Sequence, residues 1–255
     1  MAALLQGGTN DHGSVLEPET VASMFEAHHL PDPRVAGMGL GFELSEAGGH
    51  KTVGKGGLLS GFLSAILLAP DDGLGLVVLG NTGRLDGRGV PEPVTEALLR
   101  RVPSLPEDAI RSDIPPHAEG WHQFCGWYGP EPGPVTNLFT RAMLGAGVEV
   151  AVRGGRLVLQ PLTPVPSMRQ GVPLHPDDPG DARVFRAEFP DFGKSFRVVF
   201  IGAGNGGAPA AGLLIDLVSL RRRPDAINPR TWFAGAATAT AVTAVALAAR
   251  QVQRT

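Results

Sequence analysis

Residues 53–62 have the sequence VGKGGLLSGF, and two apolar runs follow, SAILLA at 64–69 and GLVVLG at 75–80. Glycine at several positions of a strand lets another backbone approach closely. The sequence Asp71-Asp72-Gly73, between the two runs, is typical of a hairpin turn. The pattern therefore predicts three antiparallel strands, at 52–59, 62–68 and 74–79.

The residues on either side of this hairpin predict helices. Residues 1–30 predict a helix, a turn and a second helix that begins at Glu17, with proline and a further acidic residue in its first turn. A short strand is expected over 39–44, and an amphipathic helix over 91–102. Because the apolar runs have no polar face, we expect helices on both sides of the sheet.

The pattern changes after residue 102. Residues 103–119 contain four prolines and predict a linker. From 121 to 220, short β segments alternate with turns, which is typical of a small barrel or sandwich. These segments lie at 148–152, 156–160, 183–189, 197–201 and 212–220. The predicted regions are a first domain over 1–102, a linker over 103–119, a barrel domain over 120–222 and a basic linker with an apolar helix over 223–255.

The last region has two interpretations. Residues 231–249 carry no charge, and as a helix they would reach about 28 Å, near the ~30 Å hydrocarbon thickness of a bilayer. Alanine and threonine dominate the segment, so a membrane anchor and a docked Ala-rich helix both remain open. More arginines precede the segment than follow it, so an anchor would place the main body on the cytoplasmic side. Residues 1–13 show no secretory signal, and we expect a cytoplasmic or membrane-associated protein.

Composition excludes several classes of protein. The chain has 255 residues, of which 43% are hydrophobic and 18% charged, so wholesale disorder is excluded. A net charge of −3 argues against a nucleic-acid partner. The single cysteine, Cys125, rules out an intrachain disulfide and is predicted to be a buried small hydrophobic residue. The set His117, His122 and Cys125 fits no common zinc spacing, and no cofactor is expected.

The glycine-rich strand and its hairpin carry a family resemblance. Lys55-Gly56-Gly57 has the form K-x-G, Gly61-Phe62 follows, and the last apolar run ends at Gly80-Asn81. This arrangement resembles the C-terminal portion of the penicillin-binding-protein and class C β-lactamase family of serine hydrolases, over residues 1–102. The resemblance implies an α+β fold, with a partial β-lactamase-like antiparallel sheet and helices, then a small all-β barrel and the C-terminal Ala-rich helix. The alternative is a glycine-rich edge strand with no chemistry.

The resemblance also implies a substrate-binding role for four residues. Lys55 would offer a cation to a substrate carboxylate, and Gly56 and Gly57 would let substrate backbone approach. The backbone N–H of Leu58 would supply half of an oxyanion hole. The implied chemistry is acyl transfer on a small-molecule ester, β-lactam or D-amino-acid peptide.

The catalytic residues of this family are missing. Its S-x-x-K motif places a lysine amine one helical turn from the serine hydroxyl. No lysine of this chain has a serine three positions before it. The residues at that spacing are Gly48 before Lys51, Thr52 before Lys55 and Asp191 before Lys194. Thr52 and Lys55 lie on a predicted strand, where residues three apart point to opposite faces. The only tyrosine, Tyr128, precedes Gly-Pro and excludes a Y-x-N motif. We therefore expect no catalytic residue and no activity in this chain alone.

Residues 121–220 resemble the small lipocalin-like barrel that often follows such hydrolases. The features are the sequence CGWYG at 125–129 and a hairpin between 148–150 and 156–159. An eight-stranded barrel either holds a small ligand or is filled by its own side chains, and the second is favoured here. Residues 202–207 match G-x-G-x-x-G, but a dinucleotide fingerprint needs a helix and a parallel strand next. We predict a hairpin loop there instead.

Three functional hypotheses remain open. The first is a split hydrolase whose serine, lysine and tyrosine come from an upstream partner chain. The second is a non-catalytic binding module, for a small molecule or a protein, built on the barrel. The third is a truncated product without activity.

Overall fold

A computed structural model describes residues 1–47, 50–59, 61–83, 110–130, 145–163, 170–189, 194–203 and 207–228. Its two α-helices within these ranges are α1 (Ala2–Leu5) and α2 (Pro18–Met24). Between them lies a two-stranded ribbon of β1 (Thr9–Asn10) and β2 (Gly13–Ser14). Pro18 stands in the first turn of α2, where its missing N–H is not needed. The prediction of two helices within residues 1–30 is confirmed.

A five-stranded antiparallel sheet follows in chain order. Its strands are β3 (Gly37–Met38), β4 (Glu43–Ala47), β5 (His50–Leu59), β6 (Gly61–Ala69) and β7 (Leu74–Gly83). The three predicted strands of the glycine-rich hairpin are therefore confirmed as β5, β6 and β7. The turn between β6 and β7 is a short 3₁₀ helix, Pro70–Asp72, which ends at Gly73 with φ of 66°.

The prediction of one strand over 39–44 is wrong. Residues 39–42 form a turn between β3 and β4, which is closed by a hydrogen bond from Gly39 N–H to the carbonyl of Phe42. Gly41 has φ of 84°, a left-handed conformation that favours glycine. A Cβ atom at Gly39 would lie 2.1 Å from the carbonyl oxygen of Met24, so this turn lies directly against α2.

The helices cover part of one sheet face. Val21 and Phe25 of the α2 region pack against Leu44 of β4, Val53 of β5 and Leu68 of β6. Val53 and Leu68 are fully buried there. The helix predicted over 91–102, residues 103–109 of the linker and the Ala-rich segment at 231–249 lie outside the described residues.

The second half of the described chain is a closed antiparallel barrel. Each strand pairs with the next along the chain, and the last pairs with the first. The strands are β8 (Gly126–Pro130), β9 (Val148–Arg153), β10 (Arg156–Pro161), β11 (Val172–Pro176), β12 (Val184–Phe189), β13 (Lys194–Ile201), β14 (Gly212–Ile215) and β15 (Val218–Arg223). The predicted barrel is thus present.

Three details of the barrel differ from the prediction, and the first is β8, which was not among the predicted β segments. Residues 212–220 were expected as one β segment, but a turn at Asp216, with φ of 45°, divides it into β14 and β15. β11 was not predicted, because Pro173 and Pro176 interrupt a short run and proline weakens any strand assignment.

Side chains fill the barrel interior. All eight strands contribute to one buried cluster, together with Trp121 and Phe124 from a 3₁₀ helix, Ala118–Gln123, that precedes β8. The rings of Phe124 and Phe200 stack with centroids 4.4 Å apart, and Phe185 packs edge-on against both. This packing agrees with the expectation that the barrel holds its own side chains.

A loop from the N-terminal region lies on the outside of the barrel. Val35 packs against Val184, Val199 and Leu214, whose side chains point outward from β12, β13 and β14. Arg34, the neighbouring residue, forms an ion pair with Asp181 at 2.6 Å. This loop leads directly into β3 and so connects the sheet to the barrel.

Candidate functional site

The predicted substrate-binding residues lie on β5, and their pairing is one-sided. Lys55, Gly56, Gly57 and Leu58 stand opposite Ile66, Ala65, Ser64 and Leu63 of β6. On the other side, β4 pairs with β5 only from His50 to Gly54. No strand among the described residues pairs with 55–58 on that side. Alternate residues of an antiparallel strand direct both backbone polar groups to the same neighbour, so within the described part of the chain this segment presents an open hydrogen-bonding edge.

Lys55 lies where the covered face of the sheet becomes open. Residues two apart on a strand share a face, so Lys55 and Gly57 lie on the same face as Val53. Val53 is fully buried under the helices, whereas Lys55 and Gly57 are exposed. The helices therefore end before this part of β5 and leave the lysine accessible.

Thr52, Lys194 and Tyr128, the other residues weighed against the family's catalytic motifs, lie away from Lys55. Thr52 is buried at 6% exposure on the opposite sheet face from Lys55, so the two form no pair. Lys194 begins β13 of the barrel. Tyr128 is buried inside the barrel and donates a hydrogen bond to the carbonyl of Phe124 at 2.8 Å. Burial raises the pKa of Tyr128 to about 12, so it stays neutral at physiological pH.

Ser64 is a candidate residue that the sequence did not single out. It stands directly opposite Gly57, on the same sheet face as Lys55. A Cβ atom at Gly57 would lie 2.5 Å from Ser64 Oγ. The Ser64 hydroxyl therefore occupies the space above Gly57. Only the pairing register of β5 and β6 reveals this proximity.

Apolar side chains border the same open face. Val77 and Leu79 of β7 stand opposite Ile66 and Ser64 of β6. Val77 is 46% exposed, Leu79 is 77% exposed and Phe62 of β6 is 61% exposed. Around Lys55, the described part of this face thus combines the lysine cation, the Ser64 hydroxyl and an apolar border.

The other candidate motifs form no site within the described ranges. Cys125 is half-buried, and burial raises the pKa of its thiol. His122 contacts the carbonyl of Glu119 at 3.1 Å, and His50 contacts Asp72 at 2.9 Å. No group of three or more His, Cys, Asp or Glu side chains in these ranges is arranged to hold a metal ion.

The glycine-rich sequence at 202–207 connects β13 to β14, which pair antiparallel. This is a hairpin connection, as predicted, and differs from the strand–helix–strand unit of a dinucleotide site. None of the helices in the described part of the chain is both long and apolar enough to span a bilayer.

Comparisons with known proteins give only weak structural similarities. No protein-family model and no curated protein matches the chain. It is similar to SurE in a crystal structure with D-Leu, at 19% identity and a TM-score of 0.48, over 82% of this chain and 44% of that chain. A crystal structure of SurE gives 20% identity, the same TM-score, and 82% and 43% coverage. The octameric penicillin-binding protein homologue from Pyrococcus abyssi gives 17% identity, a TM-score of 0.34, and 86% and 44% coverage. The chain spans less than half the length of each of these structures.

Proposed function

We propose that the five-stranded sheet is the substrate-binding wall of a β-lactamase-related serine hydrolase, which acts on esters, β-lactams or D-amino-acid peptides. One observation carries the proposal: Lys55 and two glycines are exposed on a strand whose edge, beyond Gly54, is not paired by any strand in the described ranges. The K-x-G spacing on this strand, followed by Gly61-Phe62 and a hairpin ending near Asn81, supports the same family.

The geometry suits an extended acyl substrate. The open edge of residues 55–58 supplies backbone donors and acceptors to a ligand that lies alongside it. Glycine at 56 and 57 leaves no side chain to hinder that approach. The Lys55 ammonium would bind a carboxylate through a charge-assisted hydrogen bond, and the backbone N–H of Leu58 would face a developing oxyanion.

Binding without turnover is the expected behaviour of the chain alone. An acyl-enzyme needs a serine activated by a base, and the family's S-x-x-K and Y-x-N motifs do not occur in these 255 residues. We therefore propose that the serine, its lysine and the tyrosine come from an upstream partner chain. The filled barrel interior disfavours the alternative of a small-molecule site within the barrel.

A fluorescent penicillin tests the binding role. The purified chain should bind it reversibly in fluorescence anisotropy, and no label should remain on the denatured protein. Lys55→Gln should weaken binding about tenfold, because a hydrogen bond between charged groups is lost. Lys51→Gln is the matched control, since Lys51 is exposed on the same face of the same strand. Stoichiometric labelling that disappears when one of the chain's own serines is replaced would contradict the proposal.

A second experiment tests the proposed partner. If the reading frame upstream encodes S-x-x-K and Y-x-N, its product mixed with this chain should hydrolyse a chromogenic β-lactam or ester. Neither chain should do so alone, and Lys55→Gln should lower the rate of the mixture. An upstream frame without these motifs, or a mixture without turnover, would show that the partner proposal is wrong.

A further inference from the structure

The hydroxyl of Ser64 lies at an open surface beside the proposed cation. Its Oγ occupies the position next to Gly57 that a side chain there would fill, and Gly57 itself is exposed. The backbones of Ser64 and Lys55 belong to the strand ladder, but among the described residues neither side chain forms a hydrogen bond or an ion pair. A side-chain hydroxyl without a partner in the protein can donate a hydrogen bond to a ligand.

The lysine and the hydroxyl can meet at one anion. Lys55 and Gly57 are two residues apart, so their Cα atoms are about 7 Å apart along the strand. The flexible four-carbon stem of lysine covers this distance, and diagonal cross-strand neighbours are within contact range of long side chains. A carboxylate above Gly57 would therefore accept hydrogen bonds from both Lys55 Nζ and Ser64 Oγ.

The surface next to this pair is apolar. Leu79 stands directly opposite Ser64 on β7 and, at 77%, is the most exposed large apolar residue in the part of the chain that the structure describes. Phe62 and Val77 extend the same surface. An apolar group attached close to the carboxylate would cover these side chains and remove their area from water.

We propose that Ser64 is a specificity-determining residue, which together with Lys55 selects ligands that carry a carboxylate next to an apolar group. N-acyl amino acids with an apolar acyl chain belong to this class. The inference rests on the proposed function, because it assigns the same face of β5 to substrate binding. It adds a residue that lies outside the K-x-G motif.

Two matched probes test the proposal. Phenylacetylglycine carries the carboxylate and the apolar group, and its primary amide replaces the carboxylate with a neutral group. Dissociation constants from NMR titration of the full chain should favour the carboxylate. Ser64→Ala should weaken binding of the carboxylate about fivefold or more, because a hydrogen bond to a charged group is lost, and should leave binding of the amide unchanged. Leu79→Ala should weaken binding of both probes.

Further variants separate a ligand contact from a structural effect. Ser64→Thr keeps the hydroxyl and should restore binding. Gly57→Ala places a Cβ atom where the Ser64 hydroxyl now lies and should reproduce the effect of Ser64→Ala with residue 64 unchanged. If Ser64→Ala does not fold, the Gly57 variant decides the question through the two probes: loss of the hydroxyl contact weakens binding of the carboxylate alone, whereas hindrance by the added methyl group weakens binding of both.

The outcomes distinguish the two proposals. If Lys55→Gln weakens binding of the carboxylate but Ser64→Ala and Gly57→Ala do not, the role of Ser64 is wrong and the proposed function stands. If Lys55→Gln has no effect on binding, both proposals are wrong. Failure of the unaltered chain to bind the carboxylate probe more tightly than the amide would overturn the inference.

Discussion

Tyr128 and Ser64 lie in opposite surroundings, the first in the core of the barrel and the second on a partly exposed face of the sheet. Tyr128 matches no catalytic motif, and the structure gives it a structural role instead. Its ring lies in the barrel core, and its hydroxyl caps the carbonyl of Phe124. Ser64 belongs to no sequence motif, but the strand register places it beside Gly57, the glycine that ends the K-x-G motif.

Tyr128 provides a direct test of this packing, because it is the only tyrosine. Its pKa is raised to about 12, mainly by burial, so titration followed at the phenolate absorbance should occur well above pH 10. Because the unfolded chain ionises near pH 10, this group stabilises the fold below that pH, and the contribution is lost as the pH rises through about 12. Tyr128→Phe should cost about 1 kcal/mol of unfolding free energy, through the unpaired carbonyl. A phenol that titrates near pH 10 in the folded chain would contradict the buried position.

At the scale of elements, sequence patterns located the strands better than the turns. β5, β6 and β7 were predicted because long apolar runs are separated by a strong turn signal, Asp71-Asp72-Gly73. Residues 39–44 were misassigned because Gly39 and Gly41 permit a tight turn whose position depends on contact with Met24. The division at Asp216 was missed because a left-handed conformation at a residue other than glycine leaves little sequence signal.

The same contrast applies to the candidate site. The K-x-G spacing placed Lys55, Gly56, Gly57 and Leu58 on one strand, and the structure agrees. The open edge could not be predicted, because it depends on β4 ending its pairing at Gly54. The apolar border could not be predicted either, since it depends on which residues of β6 and β7 stand opposite each other.

At the scale of the whole molecule, the sheet and the barrel are joined by a small ionic and apolar contact. Asp177 follows β11 on the outside of the barrel, where neighbouring side chains bury it. It accepts hydrogen bonds from Arg186 and Arg197. Arg197 also donates to the carbonyl of Arg34, and the Arg34 guanidinium bridges Asp32 and Asp181. Val35 fills the apolar part of the contact. Because the loop holding Arg34 and Val35 continues into β3, the barrel fixes one edge of the sheet that carries the proposed site.

Because of this contact, the free energy of unfolding should fall at acid pH. Hydrogen bonds from Arg183, and then from Arg34, lower the pKa of Asp181 to about 2, and the Arg34 side chain lowers the pKa of Asp32. A carboxyl whose pKa is lower in the folded than in the unfolded state stabilises the fold at any pH above its unfolded-state pKa, which is near 3.8. For Asp181 this contribution is lost as the pH falls from that value towards about 2. The thermal unfolding midpoint should therefore drop over this range.

Asp181→Asn tests the contribution of this contact to the assembled molecule. The variant keeps one acceptor oxygen but loses the charge that faces Arg34 and Arg183, so we expect a loss of about 1 kcal/mol at neutral pH, reduced by partial exposure of the pair. Its unfolding midpoint should also change less between pH 4 and pH 2 than that of the unaltered chain. Asp113→Asn is the matched control. Asp113 pairs with an arginine two residues away, as Asp181 does with Arg183, but the Asp113 side chain is exposed. An equal loss of stability in both variants would mean that the contact with the N-terminal loop contributes nothing. A larger loss in Asp181→Asn, accompanied by weaker binding of phenylacetylglycine at Lys55, would show that the barrel supports the geometry of the sheet.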